Sequence, residues 1–157
     1  MEHLEIERKF LVVSDVYKQE ATSQVRIAQG FLNTDPERTV RVRIKGDKGF
    51  LTIKGPSNAT GTTRFEWETE ISLTEATNLI DLCKDVILEK VRFEVPLGNK
   101  LFEVDEFLGE NKGLVIAEVE LNHEDEVFER PKWLGEEVTG QPEYYNSQLS
   151  KNPFTQW

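Results

Sequence analysis

Charged residues fall at every second position in seven stretches of this chain, and the residues between them are mostly apolar. Glu5-Ile6-Glu7-Arg8-Lys9 sets the pattern. Residues two apart on a β-strand point to the same face, so Glu5, Glu7 and Lys9 form one polar row with Ile6, Arg8 and Phe10 behind it. The pattern returns at Arg41-x-Arg43-x-Lys45, Thr52-x-Lys54, Glu66-x-Glu68-x-Glu70, Lys90-x-Arg92-x-Glu94, Glu103-x-Asp105 and Glu118-x-Glu120. Val40, Val42, Ile53, Trp67, Phe93, Val104 and Val119 are among the apolar positions between. The chain thus specifies a sheet with one apolar face and one densely ionic face of both signs. The ionic face is where chemistry is expected.

Eight strands are predicted, over about 3–12, 24–32, 39–46, 49–55, 63–72, 89–96, 100–107 and 114–122. Gly46-Asp47-Lys48-Gly49 and Gly98-Asn99 have hairpin chemistry, and Gly55 to Gly61 reads as a loop. Asn58-Ala59-Thr60 within it matches a glycosylation acceptor, a motif short enough to be read as chance. Helices are fewer. Ser14 is placed to cap one over 15–22, and Thr74 one over 75–86, where Ala76, Leu79, Ile80 and Cys83 fall at helical spacing. Two short helices are expected after Pro131, near 132–137 and 143–150. No linker, low-complexity segment or long repeat interrupts the chain, so one domain over residues 1–157 is expected. Eight antiparallel strands can close into a barrel and remove their edges. They can equally form an open sheet, packed on helices through one face and wet on the other. Periodicity alone leaves both open; seven strands sharing the pattern favour a charged tunnel.

Composition narrows the chemistry. The 157 residues suffice for a substantial core, with 38% hydrophobic and 31% charged residues. No apolar run approaches bilayer length, and a strand pattern beginning this early leaves no room for a signal peptide. Cys83 is the lone cysteine, so no intrachain disulfide forms and a cytoplasmic setting is expected. His3 and His123 are too few for a histidine-rich zinc site. Any metal would be oxygen-ligated, which favours Mg2+ or Mn2+. A net charge of −10 argues against nucleic acid as a partner. Yet Arg41, Arg43, Lys45, Lys48 and Lys54 cluster, pointing to a small polyanion.

Glu5-x-Glu7-x-Lys9 resembles the opening signature of the CYTH superfamily, the triphosphate tunnel metalloenzymes. The other motifs follow in order: Arg41-x-Arg43, a strand ending in Lys54, Glu66-x-Glu68, Glu89-Lys90-x-Arg92, Glu103-x-Asp105 and Glu118-x-Glu120. The tail Trp133-Leu134-Gly135-Glu136-Glu137-Val138-Thr139, with Tyr145-Asn146, is similar to that of the small bacterial members. The resemblance covers nearly the whole chain. It implies a mainly β fold, an eight-stranded antiparallel barrel with a charged interior and a few short helices packed outside. It also implies binding of a linear triphosphate and its cleavage with a divalent metal. Related sequences often carry a lysine near the Tyr-Asn pair where this chain has Ser147, so no phosphate contact is carried over to the tail.

On that resemblance Lys9, Arg41, Arg43, Lys54, Lys90 and Arg92 are the substrate-binding candidates. Guanidinium forks and ammonium groups both bind phosphate oxygens; the alternative is cross-strand ion pairing. Glu5, Glu7, Asp105, Glu118 and Glu120 are the metal-binding candidates, since such carboxylate density is costly without a cation; the alternative is pairing with the tunnel's own cations. Glu118, Glu120, Lys90 and Arg92 are the catalytic candidates. Glu66, Glu68 and Glu103 either orient basic residues or help to hold metal. Glu70 is expected at the rim and Lys45 and Lys48 in solvent. Trp67 and Phe93 are expected in the core, with no aromatic ring on the ionic face.

The expected activity is metal-dependent hydrolysis of inorganic tripolyphosphate to orthophosphate and a shortened chain. The alternatives are a nucleoside or thiamine triphosphatase, a class IV type adenylyl cyclase, or a non-catalytic binder. The partner is a small polyanion, with no nucleic acid or membrane, and the chain is expected as a monomer or homodimer.

Overall fold

In a computed structural model that describes residues 3–157, the ionic rows turn inward. Strands β1 (Leu4–Val12), β2 (Ser23–Asn33), β3 (Thr39–Lys45), β4 (Lys48–Ser57), β5 (Thr63–Ile71), β6 (Leu88–Leu97), β7 (Lys100–Phe107) and β8 (Val115–Glu120) are joined edge to edge. Their order is β5-β4-β3-β2-β6-β7-β8-β1, and β1 pairs back onto β5, so the sheet closes as an antiparallel barrel. Both tight hairpins form as the sequence predicts: Lys45 opposes Lys48 and Leu97 opposes Lys100. Gly46 and Gly98 supply positive φ, 62° and 61°, at the first turn position.

The outer face carries the main core. Phe10, Phe93, Val95, Phe102, Val104, Ala117 and Val119 project outward from β1, β6, β7 and β8, beneath Tyr17, Leu121 and Trp133. Tyr17 belongs to α1 (Tyr17–Glu20), shorter than the helix expected over 15–22. Trp133 is fully buried, its indole N–H donating to Glu20 at 3.0 Å. On the other side α2 (Leu73–Ile80) lies against β2, β3 and β4.

Several local expectations are corrected. Ser72, not Thr74, caps α2: its hydroxyl accepts from the Glu75 N–H while Glu75 accepts from the Ser72 N–H, a reciprocal box. The helix stops at Ile80 because Leu82 and Cys83 bond three residues back instead of four. Residues 134–137 form no helix; they are a ninth strand, β9 (Leu134–Glu137), laid on β1. Trp67 faces outward but stays partly exposed, because α2 does not extend over β5.

A second apolar cluster lies inside the barrel. The inward rows change character near one end: Lys9 gives way to Leu11, Lys90 to Leu88, Asp105 to Phe107, and Glu118 to Ile116. Phe31, Leu88, Phe107, Leu114 and Ile116 meet there, and Leu149 of α3 (Asn146–Leu149) seals them. The interior is therefore layered, with ions over a dry plug, and the tunnel is a cup closed at one end.

Candidate functional site

The cup encloses about 200 Å3, lined by eight basic and seven carboxylate side chains. That gives its wall a slight positive excess inside a protein of charge −10. Antiparallel register places the rows side by side. Glu7 opposes Glu120, Lys9 opposes Glu118, and Glu103 opposes Glu118.

The cations divide into three groups. Arg41 and Arg43 from β3 converge on one Glu68 oxygen at 3.5 and 3.3 Å, and Thr52 donates to the same oxygen at 2.6 Å. Lys54 sits between Glu5 and Glu66, at 2.9 and 3.3 Å. Lys90 and Arg92, on β6, share Asp105: the ammonium is 2.8 Å from it, and the guanidinium grips both its oxygens at 2.8 and 2.9 Å. Arg92 also reaches Glu103 at 3.2 Å. Lys9 is loosely held, 3.9 Å from Glu118.

Burial and neighbouring charge tune these groups. Burial draws Lys90 down to about 8, although Asp105 and Glu118 oppose it. Burial also lowers Arg43 to about 10, with Arg41 and Arg92 adding repulsion. The Nε atoms of Arg41 and Arg43 are buried without a partner, donors left unused at the wall of the cup. Burial works against the Asp105 carboxylate, but Arg92 and Lys90 outweigh it and hold its pKa below the ordinary value.

The acids on β1 and β8 behave differently. Burial, then the charges of Glu118 and Glu5, pushes Glu7 well above the carboxylate range. Burial acts on Glu118 too, but Lys9, a hydrogen bond from Glu7, Arg92 and Lys90 hold it well below that range. Glu120, at the exposed mouth, is raised by burial and by Glu5 and Glu103. Glu5 is lowered, Lys54 and Glu66 outweighing burial. A hard cation among these carboxylates would relieve the repulsion that raises Glu7 and Glu120. Among the described residues no three His, Cys, Asp or Glu groups converge as a finished cage. An all-oxygen set supplying a few carboxylates fits Mg2+ or Mn2+, which complete their shells with water and phosphate oxygens.

The structure brings together Glu5, Glu7, Lys9, Arg41, Arg43, Lys54, Glu66, Glu68, Lys90, Arg92, Glu103, Glu118 and Glu120 around one cup. Asp105 stands apart: it is 2% exposed and does not line the cup, its oxygens being occupied by Lys90 and Arg92. Lys45, expected in solvent, lines the cup, whereas Lys48 is exposed as expected. Glu70 is exposed at the end of the β5 row. Contrary to expectation, aromatic rings border the site. Phe31 and Tyr145 both line it, and Lys9 lies 5.4 Å from the Tyr145 ring centroid.

The tail also contributes more than its sequence announced. Asn146 accepts from Lys90 at 3.0 Å and from the fully buried Gln29 at 2.8 Å. Lys9 donates to the Tyr144 carbonyl at 3.4 Å. No charge or periodicity marks Tyr145, Asn146 and Ser147; only folding brings them here. Arg64 and Thr39 line the cup as well, and parity could have found them, since Arg64 precedes Glu66 by two and Thr39 precedes Arg41 by two.

Fold and site together define a closed antiparallel β-barrel with an ionic interior. Residues 3–153 match the CYTH domain family, and the chain belongs to it. An inorganic triphosphatase of Acetivibrio thermocellus is 50% identical over 151 residues, 96% of this chain and 95% of that protein. An inorganic triphosphatase of Nitrosomonas europaea is 35% identical over 150 residues, 93% of this chain and 96% of that protein. A crystal structure of an inorganic triphosphatase superimposes with a TM-score of 0.66 at 34% identity, covering 93% of each chain.

Proposed function

We propose that this chain hydrolyses a linear triphosphate, inorganic tripolyphosphate foremost, to diphosphate and orthophosphate. The observation that carries this reading is the cup itself: eight basic side chains enclosed with a carboxylate cluster on one side. One isolated phosphate needs fewer cations, and a chain of three suits them. The two inorganic triphosphatases that match over nearly their whole length support the choice of substrate.

Arg41, Arg43 and Lys54 bind the phosphate chain from β3 and β4, exchanging their carboxylate partners for phosphate oxygens. Lys90 and Arg92, held by Asp105, stabilise the charge that develops on the leaving diphosphate. Glu5, Glu7, Glu118 and Glu120 would hold Mg2+ or Mn2+, which when bound neutralises phosphate charge and polarises the bond under attack. Glu118, kept ionised by Lys9, accepts a hydrogen bond from the attacking water and orients it in line with the terminal phosphorus. Glu66 and Glu68 orient Lys54 and the β3 arginines, and Glu103 supports Arg92. Asp105 serves as their anchor; no free oxygen remains on it for metal.

The decisive experiment measures orthophosphate and pyrophosphate release from tripolyphosphate and ATP, with Mg2+, with Mn2+ and with chelator. Chelator-sensitive orthophosphate release favouring tripolyphosphate is expected. Pyrophosphate and cyclic nucleotide from ATP would overturn it in favour of a cyclase, and binding without turnover in favour of a polyphosphate binder.

A further inference from the structure

Nearly every basic side chain lining the cup already has a carboxylate within 4 Å: Lys9, Arg41, Arg43, Lys54, Lys90 and Arg92 are all paired. Among the described residues Lys45 and Arg64 line it with no such partner. Lys45 ends β3 beside the hairpin turn, on a flexible stem. Arg64 is different. Its Nε donates to the Gly55 carbonyl at 3.1 Å and one Nη to the Thr39 hydroxyl at 3.4 Å. Both acceptors are neutral. Of the five N–H groups of a guanidinium, two fix its orientation and three are left over in a side chain that lines the cavity. Burial lowers its pKa, outweighing Glu5 and Glu7, which act on it from beyond ion-pairing distance.

Its position extends the basic row. On β3 the inward residues run Lys45, Arg43, Arg41, Thr39, and Arg64 reaches across to the Thr39 end. A phosphate chain lying along Arg43 and Arg41 would bring one end to this guanidinium. We infer that Arg64 is a further substrate-binding residue, which grips a terminal phosphate of the bound polyphosphate with a fork no carboxylate occupies. The inference rests on the polyphosphate reading of the cup. Arg64 differs in mechanism from the six paired cations, because it exchanges no ion pair when substrate enters and so acts on affinity rather than on cleavage.

The test compares the unsubstituted chain with Arg64→Ala and Arg64→Lys. Two readouts are taken: steady-state kinetics on tripolyphosphate with Mg2+, and the rise in melting temperature caused by tripolyphosphate in chelator. Arg64→Ala is expected to raise KM roughly ten- to hundredfold, the range for losing charge-assisted hydrogen bonds, with kcat within about threefold, as for lost uniform binding. The melting-temperature rise should shrink in parallel, and Arg64→Lys should restore part of both. A merely structural residue would lower the melting temperature without ligand and leave the ligand-induced rise intact. That result, or an unchanged KM, overturns the inference. Should Arg64→Ala fail to fold, Arg64→Lys decides the matter alone: a KM equal to that of the unsubstituted chain, where the geometry calls for a fork, counts against it. If the unsubstituted chain releases no orthophosphate the hydrolase reading fails, and the chelator experiment still decides whether Arg64 holds polyphosphate.

Discussion

At the scale of single residues, the site is built from pairs whose members have unequal tasks. Glu7 and Glu118 line the cup from the neighbouring strands β1 and β8, yet the first is driven towards its protonated form and the second away from it. An ionised carboxylate accepts a hydrogen bond from water and a protonated one donates. Glu118 is therefore the better placed of the two to orient the attacking water, though too weak a base to take its proton. Glu118→Gln keeps the shape and removes the charge, and should lower kcat at fixed metal at least about a hundredfold. Full turnover in that variant would remove Glu118 from the mechanism. Asp105 is the opposite case, a carboxylate spent on structure. Replacing it with Asn leaves Lys90 and Arg92 buried against each other. Breaking a buried pair from one side costs about 3–5 kcal/mol, and urea unfolding of Asp105→Asn should show a loss of that order. A stability within about 1 kcal/mol of the parent would mean that the two cations find other partners.

At the scale of elements, the sequence was most readable where chemistry and geometry share one period. All eight barrel strands lie close to their predicted limits; along seven of them charged and apolar residues alternate, as a half-buried strand requires. Legibility failed where tertiary contacts decide. Leu134-Gly135-Glu136-Glu137 carries no alternation, yet forms β9 because β1 offers it a partner. Arg8 is the clamp, gripping both Glu137 oxygens at 2.8 and 2.6 Å, and Thr139 donates to the same carboxylate at 2.7 Å. α3 falls within the helix expected near 143–150, but no pattern in its four residues announced that Asn146 would line the tunnel. The clamp has a measurable consequence. The hydrogen bond from Arg8, against some burial and helped by Thr139, lowers Glu137 from its ordinary 4.5. A carboxyl lowered in the folded state contributes stability that is complete above the unfolded value and lost as pH falls through the folded one. Melting temperature should therefore fall below about pH 4.5 less steeply in Glu137→Gln than in the parent, starting from a lower plateau at neutral pH. Identical pH slopes would show that β9 is held by its backbone bonds alone.

At the scale of the whole molecule, the two charge distributions point in opposite directions. The chain carries −10, while the lining holds eight cations against seven carboxylates, so the outer surface is the acidic part. A tripolyphosphate anion meets a repulsive field on approach and an attractive one only after entering the cup. Such an arrangement gives no electrostatic steering; fast steered association needs attraction beyond the binding contact, and salt abolishes it. Enclosed contacts, by contrast, are screened little, because the Debye length of about 8–10 Å near physiological ionic strength applies to exposed charges. At constant free metal and constant metal-bound substrate, kcat/KM for tripolyphosphate should therefore hold steady or rise as monovalent salt goes from about 10 to 150 mM, since salt damps the outer repulsion before the inner attraction. A basic-surfaced binder would show a steep fall over the same range. A steep fall here would place the governing attraction outside the cup, and the enclosed cations would then serve retention and chemistry but not capture.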